Sequence, residues 1–102
     1  MIDTHDFMQV MVREIRRDIL RFLHVAGNFG VNERMLLTAM MTYKHNVLQG
    51  DIRRHLNYLE QRHVLKIKGR DQNVWTITIT ADGTDIVEGL QKCPDWMAPM
   101  VI

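Results

Sequence analysis

The sequence predicts a mainly helical domain completed by a small β-hairpin, an α+β fold in the order α-α-α-β-β-α. Three observations lead there. Apolar residues recur every three to four positions over three segments that end by Arg62. The period shortens to two between Val64 and Thr80, on either side of a polar turn. Capping residues and glycines stand where those patterns change.

The first helix starts at a cap formed by Asp3 or Thr4 and is expected to run to about Ala26. Its inner stripe would be Met8, Val12, Ile15, Ile19, Phe22 or Leu23, and Ala26, and Gly27 and Gly30 end it. Phe7 and Met11 add a second apolar strip that can pack on the C-terminal part of the chain or on another subunit. Val31, Asn32 and Leu36 occupy the positions of a hydrophobic staple around an asparagine cap, so a second helix should run to about Thr42. Leu36, Leu37, Met40 and Met41 would supply its buried side, with the methionines as adaptable filler.

The third helix carries Leu48, Ile52, Leu56 and Leu59 on an apolar face, and Gln49, Arg53, Arg54, Asn57 and Gln61 beside them. Asn46 with Gln49 three residues on fits a capping box, which places Gly50 in the first turn. Beyond it, Val64, Leu65 and Ile67 form a short strand, Gly69 to Asn73 a turn, and Val74 to Thr80 a second strand. Thr80 can cap a last helix through about Gln91, with Ile86, Val87 and Leu90 facing inward. Residues 1–93 thus read as one domain with an extended first helix, and residues 94–102 as an apolar tail. That tail can pack on the first helix, complete a dimer, or stay disordered.

At 102 residues the chain can bury one core but not two of ordinary size. No apolar run approaches the roughly 20 residues that a bilayer span requires, and the N-terminus lacks the pattern of a secretory signal. We therefore expect no membrane partner and a cytoplasmic location. Cys93 is the only cysteine, which excludes an internal disulfide and suits a reducing compartment.

The formal net charge of +1 hides a pattern. From Lys44 to Arg70 the bases Lys44, Arg53, Arg54, Arg62, Lys66, Lys68 and Arg70 face only Asp51 and Glu60. Before that stretch acids and bases cancel; after it acids dominate. A basic middle between neutral and acidic ends suits a protein that presents one surface to a polyanion. The competing explanation is a solvated face and a lysine-protected edge strand.

The chain resembles the winged helix-turn-helix domains of bacterial and phage transcription regulators. Three segments carry the resemblance: residues 17–23 (Arg17 to Leu23) in the first helix, residues 51–60 (Asp51 to Glu60) in the third, and residues 75–83 (Trp75 to Gly83) leaving the hairpin. The middle segment is similar to the recognition-helix end of the arsenic-repressor-like and multiple-antibiotic-resistance-repressor-like families. The small size resembles short proteins of Mu-like phages and prophages. The chain departs from metal-sensing members, since Cys93 stands alone and its histidines show no ligand spacing. His63 stands where such domains usually place a glycine.

The resemblance implies a winged-helix fold and sequence-specific binding of double-stranded DNA by a small transcriptional regulator. The third helix would enter the major groove and the wing would meet the backbone. Arg53 and Gln49 are then expected at base edges, and Arg54, Asn57, Lys44, Lys66, Lys68 and Arg70 at phosphates. A homodimer formed through the first helix and the C-terminal segment would read paired half-sites. The alternative is a winged helix that serves as a protein-interaction module without DNA binding. With no phosphate loop, nucleophile elbow or metal-binding spacing, we expect no enzyme, cofactor or metal. Asp18 with Glu14, and His55 with Glu60, should be solvated surface pairs.

Overall fold

A computed structural model describes residues 3–100 and contains four α-helices and a small antiparallel sheet. Helix α1 spans Thr4–Ala26; the Asp3 carboxylate accepts the Asp6 N–H at 2.9 Å and caps it. It ends at Gly27, whose φ of 67° belongs to the left-handed region. A single 3-10 turn, Gly27–Phe29, leads into strand β1, Val31–Asn32. The Asn32 side chain then caps helix α2, Glu33–Thr42, by accepting the Met35 N–H at 2.8 Å. These caps stand where local sequence places them, because each bond spans only three residues.

Helix α3, Gln49–Gln61, starts later than its expected cap at Asn46. The reason lies in the preceding connection. Lys44 adopts a φ of 66°, and His45 and Val47 turn inward with 6% and 8% exposure, which keeps residues 45–48 out of the helix. Leu48 becomes the N-cap and, at 72% exposure, leaves the buried face to Ile52, Leu56 and Leu59. A leucine has no oxygen to offer, so only the reciprocal half of a capping box exists: Asp51 Oδ2 accepts the Leu48 N–H at 3.1 Å.

Strands β2, Leu65–Lys68, and β3, Thr76–Ile79, form the expected hairpin, shorter than the alternation suggests. β1 adds a third strand on the far side of β3, giving the order β1-β3-β2 with Val31 opposite Ile77. Two residues are too few to carry a period, so the sequence does not reveal this strand. Leu65 and Ile67 point into the core beneath α3, while Lys66 and Lys68 pair with Thr78 and Thr76 on the outer face.

The chain turns twice at one place. His63 takes a φ of 65° after α3, in the left-handed region that histidine tolerates better than branched residues. Thr80 Oγ1 donates to the His63 carbonyl at 2.7 Å and accepts the Gly83 N–H at 3.1 Å, capping helix α4, Ala81–Val87. Gly83 lies directly on the Val64 carbonyl. α4 stops short of Gln91 because Gly89, with φ 80°, breaks it; Leu90 is therefore 72% exposed and not inward-facing.

The core gathers Ile19, Leu20 and Leu23 of α1, Leu36 and Met40 of α2, Ile52, Leu56 and Leu59 of α3, and Ile77. α1 is buried only from Ile15 onward, so Met8, expected inside, is 59% exposed. Met41 is likewise 63% exposed on the outer side of α2. Of the three fates open to the tail, residues 94–100 take the first. Met97 is fully buried, the Ala98 N–H donates to the Arg13 carbonyl at 3.0 Å, and Trp96 meets Tyr58 edge-on. Val101 and Ile102 lie outside the described residues.

Candidate nucleic-acid interface

The basic stretch of the sequence divides in space. Lys66 and Lys68 leave the outer face of the sheet, where they border a polar cleft of about 380 Å³ with Asn28, Thr78 and Thr80. Arg70, at the hairpin turn, folds the other way onto α3. The lysines and the α3 side chains therefore do not share a surface.

Arg53 meets a partner that its own neighbourhood does not contain. Glu33, at the start of α2, is 2% exposed and accepts Arg53 Nε at 2.7 Å and Nη2 at 2.6 Å. The same carboxylate accepts the Trp75 N–H at 2.9 Å, and Arg53 Nη2 also donates to the Asn73 carbonyl at 3.0 Å. The Arg53 hydrogen bond holds the Glu33 carboxyl below its usual range, against the opposing effect of burial, and the Trp75 N–H and Gln49 add to it. The two parallel bonds of this fork tie α3 to α2 and to the approach to β3. A base-edge role for Arg53 would require breaking them.

Two guanidinium groups stand over the Trp75 ring, Arg53 at 4.3 Å and Arg70 at 4.8 Å from its centre. Arg70 Nη1 donates to Asn57 Oδ1 at 2.6 Å and Nη2 to Glu60 Oε1 at 2.5 Å. Burial raises the Glu60 carboxyl, but Arg70 and the Ile67 N–H outweigh it and leave that group below its usual range. Arg70 and Asn57, both expected at phosphates, thus satisfy each other. Arg54 pairs with Asp51 one turn back but keeps 77% of its side chain exposed. Gln49 is exposed beside Glu33, and Lys44 is exposed in the α2–α3 connection.

The three arginines Arg53, Arg54 and Arg70 are thus paired with Glu33, Asp51 and Glu60. Arg62 stacks over Tyr58 of α3 at 4.9 Å, a ring that Arg16 of α1 also covers at 3.7 Å. Folding pairs Arg53, Arg54 and Arg70 with carboxylates, whereas Lys44, Arg62, Lys66 and Lys68 form no ion pair among the described residues.

Asp18 is not a solvated partner of Glu14. It is 5% exposed, receives Arg17 Nε at 3.1 Å, and lies 2.7 Å from Nε2 of the buried His45. The pair joins α1 to the α2–α3 connection across 27 positions, and no spacing in the sequence announces it. His55 does not meet Glu60 either; it lies in a groove between α1 and α3 with Met8, Ile15 and Arg16. Burial, reinforced by the Arg16 charge, pushes its pKa from 6.5 down to about 4, with Asp51 opposing and Arg54 and His45 adding to the shift. The unfolded chain therefore binds a proton that the folded chain refuses. Stability should be unaffected above pH 6.5, decline as pH falls from 6.5 toward about 4, and lose nothing further from this group below that. Thermal midpoints across this range, for the protein and for His55→Gln, check it: the substitution should flatten the decline, and an unchanged profile would refute the assignment.

Apolar side chains, in contrast, lie open elsewhere. A groove of about 580 Å³ runs between α1 and α2, lined by Phe22, Met35, Ala39 and Tyr43 with Arg34 at its edge. Val25 and Phe29, at 82% and 96% exposure, continue the α1 side, and Phe7, Met8 and Val10 are exposed at the far end of the same helix.

Among the described residues no helix is long and apolar enough to cross a membrane, and no group of three or more His, Cys, Asp or Glu is placed to hold a metal ion. No family model matches the chain, and neither a curated protein nor a solved structure shows significant similarity to it.

Proposed function

We propose that this chain is a winged-helix-type assembly module that works by binding protein. The α2–α3 pair, the β2–β3 hairpin as a wing and β1 closing the sheet support the winged-helix arrangement. One observation carries the functional reading: the arginines of α3 and the hairpin turn have carboxylate partners, whereas large apolar side chains stand open on α1 and α2. Duplex DNA is held chiefly by uncompensated cations that displace its counterions. A protein partner is held by desolvated apolar anchors.

The second reading, sequence-specific duplex DNA binding, is favoured by the outer face of α3. Gln49, Gly50 and Arg54 are exposed there, and a Cβ added at Gly50 would meet nothing within 4 Å. An exposed pair such as Arg54–Asp51 costs little to open. Fluorescence anisotropy with a labelled random-sequence duplex, at about 50 and 200 mM salt, separates the two readings. The expected result is no saturable binding at either salt. Binding that falls steeply between them, and that Arg54→Ala with Lys44→Ala removes, would overturn the assembly reading in favour of DNA.

A further inference from the structure

Two of the apolar surfaces exposed among the described residues differ in the charge beside them. One is the N-terminal half of α1, where Phe7 and Val10 stand one turn apart at 57% and 46% exposure, with Met11 completing an i, i+3, i+4 set of anchors. Asp3 and Asp6 make that end acidic. The other is the groove between α1 and α2. Its floor is apolar, Arg34 is the charged side chain that lines it, Lys44 follows Tyr43 at its end, and among the described residues no carboxylate lines it. Its volume of about 580 Å³ falls within the range of sites that take a few large side chains.

We propose that the acidic, apolar N-terminal half of α1 in one copy docks into the α1/α2 groove of the next copy, so that the chain assembles head to tail. A copy cannot fill its own groove. Phe7 and Phe22 lie on one continuous helix, fifteen residues or about 22 Å apart, and a helix does not fold back on itself over that length. The contacting surfaces differ, so the interface is heterologous: every added copy leaves one helix end and one groove unfilled, and association continues until a ring closes or a filament grows. Opposite charges at the two surfaces set the polarity and disfavour pairing of two helix ends.

This inference rests on the assembly reading, and its test is chosen to fail separately from it. Solution mass is measured against concentration for the natural chain, for Phe7→Glu, which spoils the helix end, and for Met35→Glu, which spoils the groove. Both positions are at least half exposed, at 57% and 50%, and unchanged melting curves verify that the variants fold. The natural chain should grow beyond a dimer as concentration rises. Either variant alone should stay monomeric, its association weakened about tenfold or more. Mixed together, the two variants should form a 1:1 heterodimer and stop, since the mixture keeps one sound helix end and one sound groove. A natural chain that is monomeric throughout, a dimer that both variants leave intact, or variants that mixing does not rescue would each overturn head-to-tail assembly. None of those outcomes by itself restores DNA binding, which the anisotropy measurement decides.

Discussion

Replacing Gly83 by alanine should destabilise this domain more than any other single methyl added to it. The new Cβ would lie 2.2 Å from the Val64 carbonyl oxygen and 2.8 Å from Ile79 Cγ1, and the first of these belongs to backbone that cannot rotate away. That carbonyl already accepts the Thr80 N–H at 3.1 Å, so moving it disturbs both the exit from α3 and the entry to α4. Overpacking of this kind costs roughly 3 kcal/mol or more, which for a domain of this size lowers the thermal midpoint by about 12 to 24 °C. Gly50→Ala is the control. Nothing lies within 4 Å of its added methyl, so the change should be neutral or stabilise by up to about 1 kcal/mol. Equal midpoints for the two variants would show that the α3–β2 turn and α4 do not pack as described.

Glu33→Gln is the second change expected to have a large effect. The carboxylate is 2% exposed and serves Arg53 twice and the Trp75 N–H once; the amide keeps one acceptor and turns a donor toward the guanidinium. The expected loss is roughly 2 to 4 kcal/mol, as for a buried group left facing an unpaired charge. Arg53→Met combined with Glu33→Gln should cost less than the sum of the two single changes, because both remove the same contact. The pH dependence has a definite sign. The Glu33 carboxyl is held below its ordinary value of 4.5, so its contribution is complete above that pH and is lost as pH falls through the lower, folded value. The acid limb of natural-chain stability should therefore begin near pH 6.5 through His55 and continue below 4.5 through Glu33. Glu33→Gln should reduce the lower part alone, leaving there the share of Glu60, whose carboxyl is also held below its usual range. A stability change within about 0.5 kcal/mol would show that Glu33 does not hold these three elements together.

The site was legible only where its partners were near in sequence. Arg54 with Asp51 is a one-turn pair, and the α3 face could be drawn from Ile52, Leu56 and Leu59 alone. Arg53 reads as an exposed base contact because its neighbours are polar; its partner lies 20 positions upstream, in another helix. Lys66, Lys68 and Arg70 look like one basic wing, but alternation along β2 sends the lysines to the sheet's outer face while the turn brings Arg70 back to Asn57 and Glu60.

The amino-acid order by itself determined the helix starts at Asn32 and Thr80, the first start to within Asp3 or Thr4, the change from helical to alternating period after Arg62, and the presence of one core, because those depend on hydrogen bonds and side-chain spacings within a few residues. Only the tertiary structure decided that β1 joins the sheet, that Met97 enters the core, and that Glu33 and Glu60 neutralise the arginines expected to meet a partner. Those contacts join segments 10 to 85 positions apart, from Arg70–Glu60 to Ala98–Arg13, and a charge or an apolar side chain acquires its role from what folding places beside it.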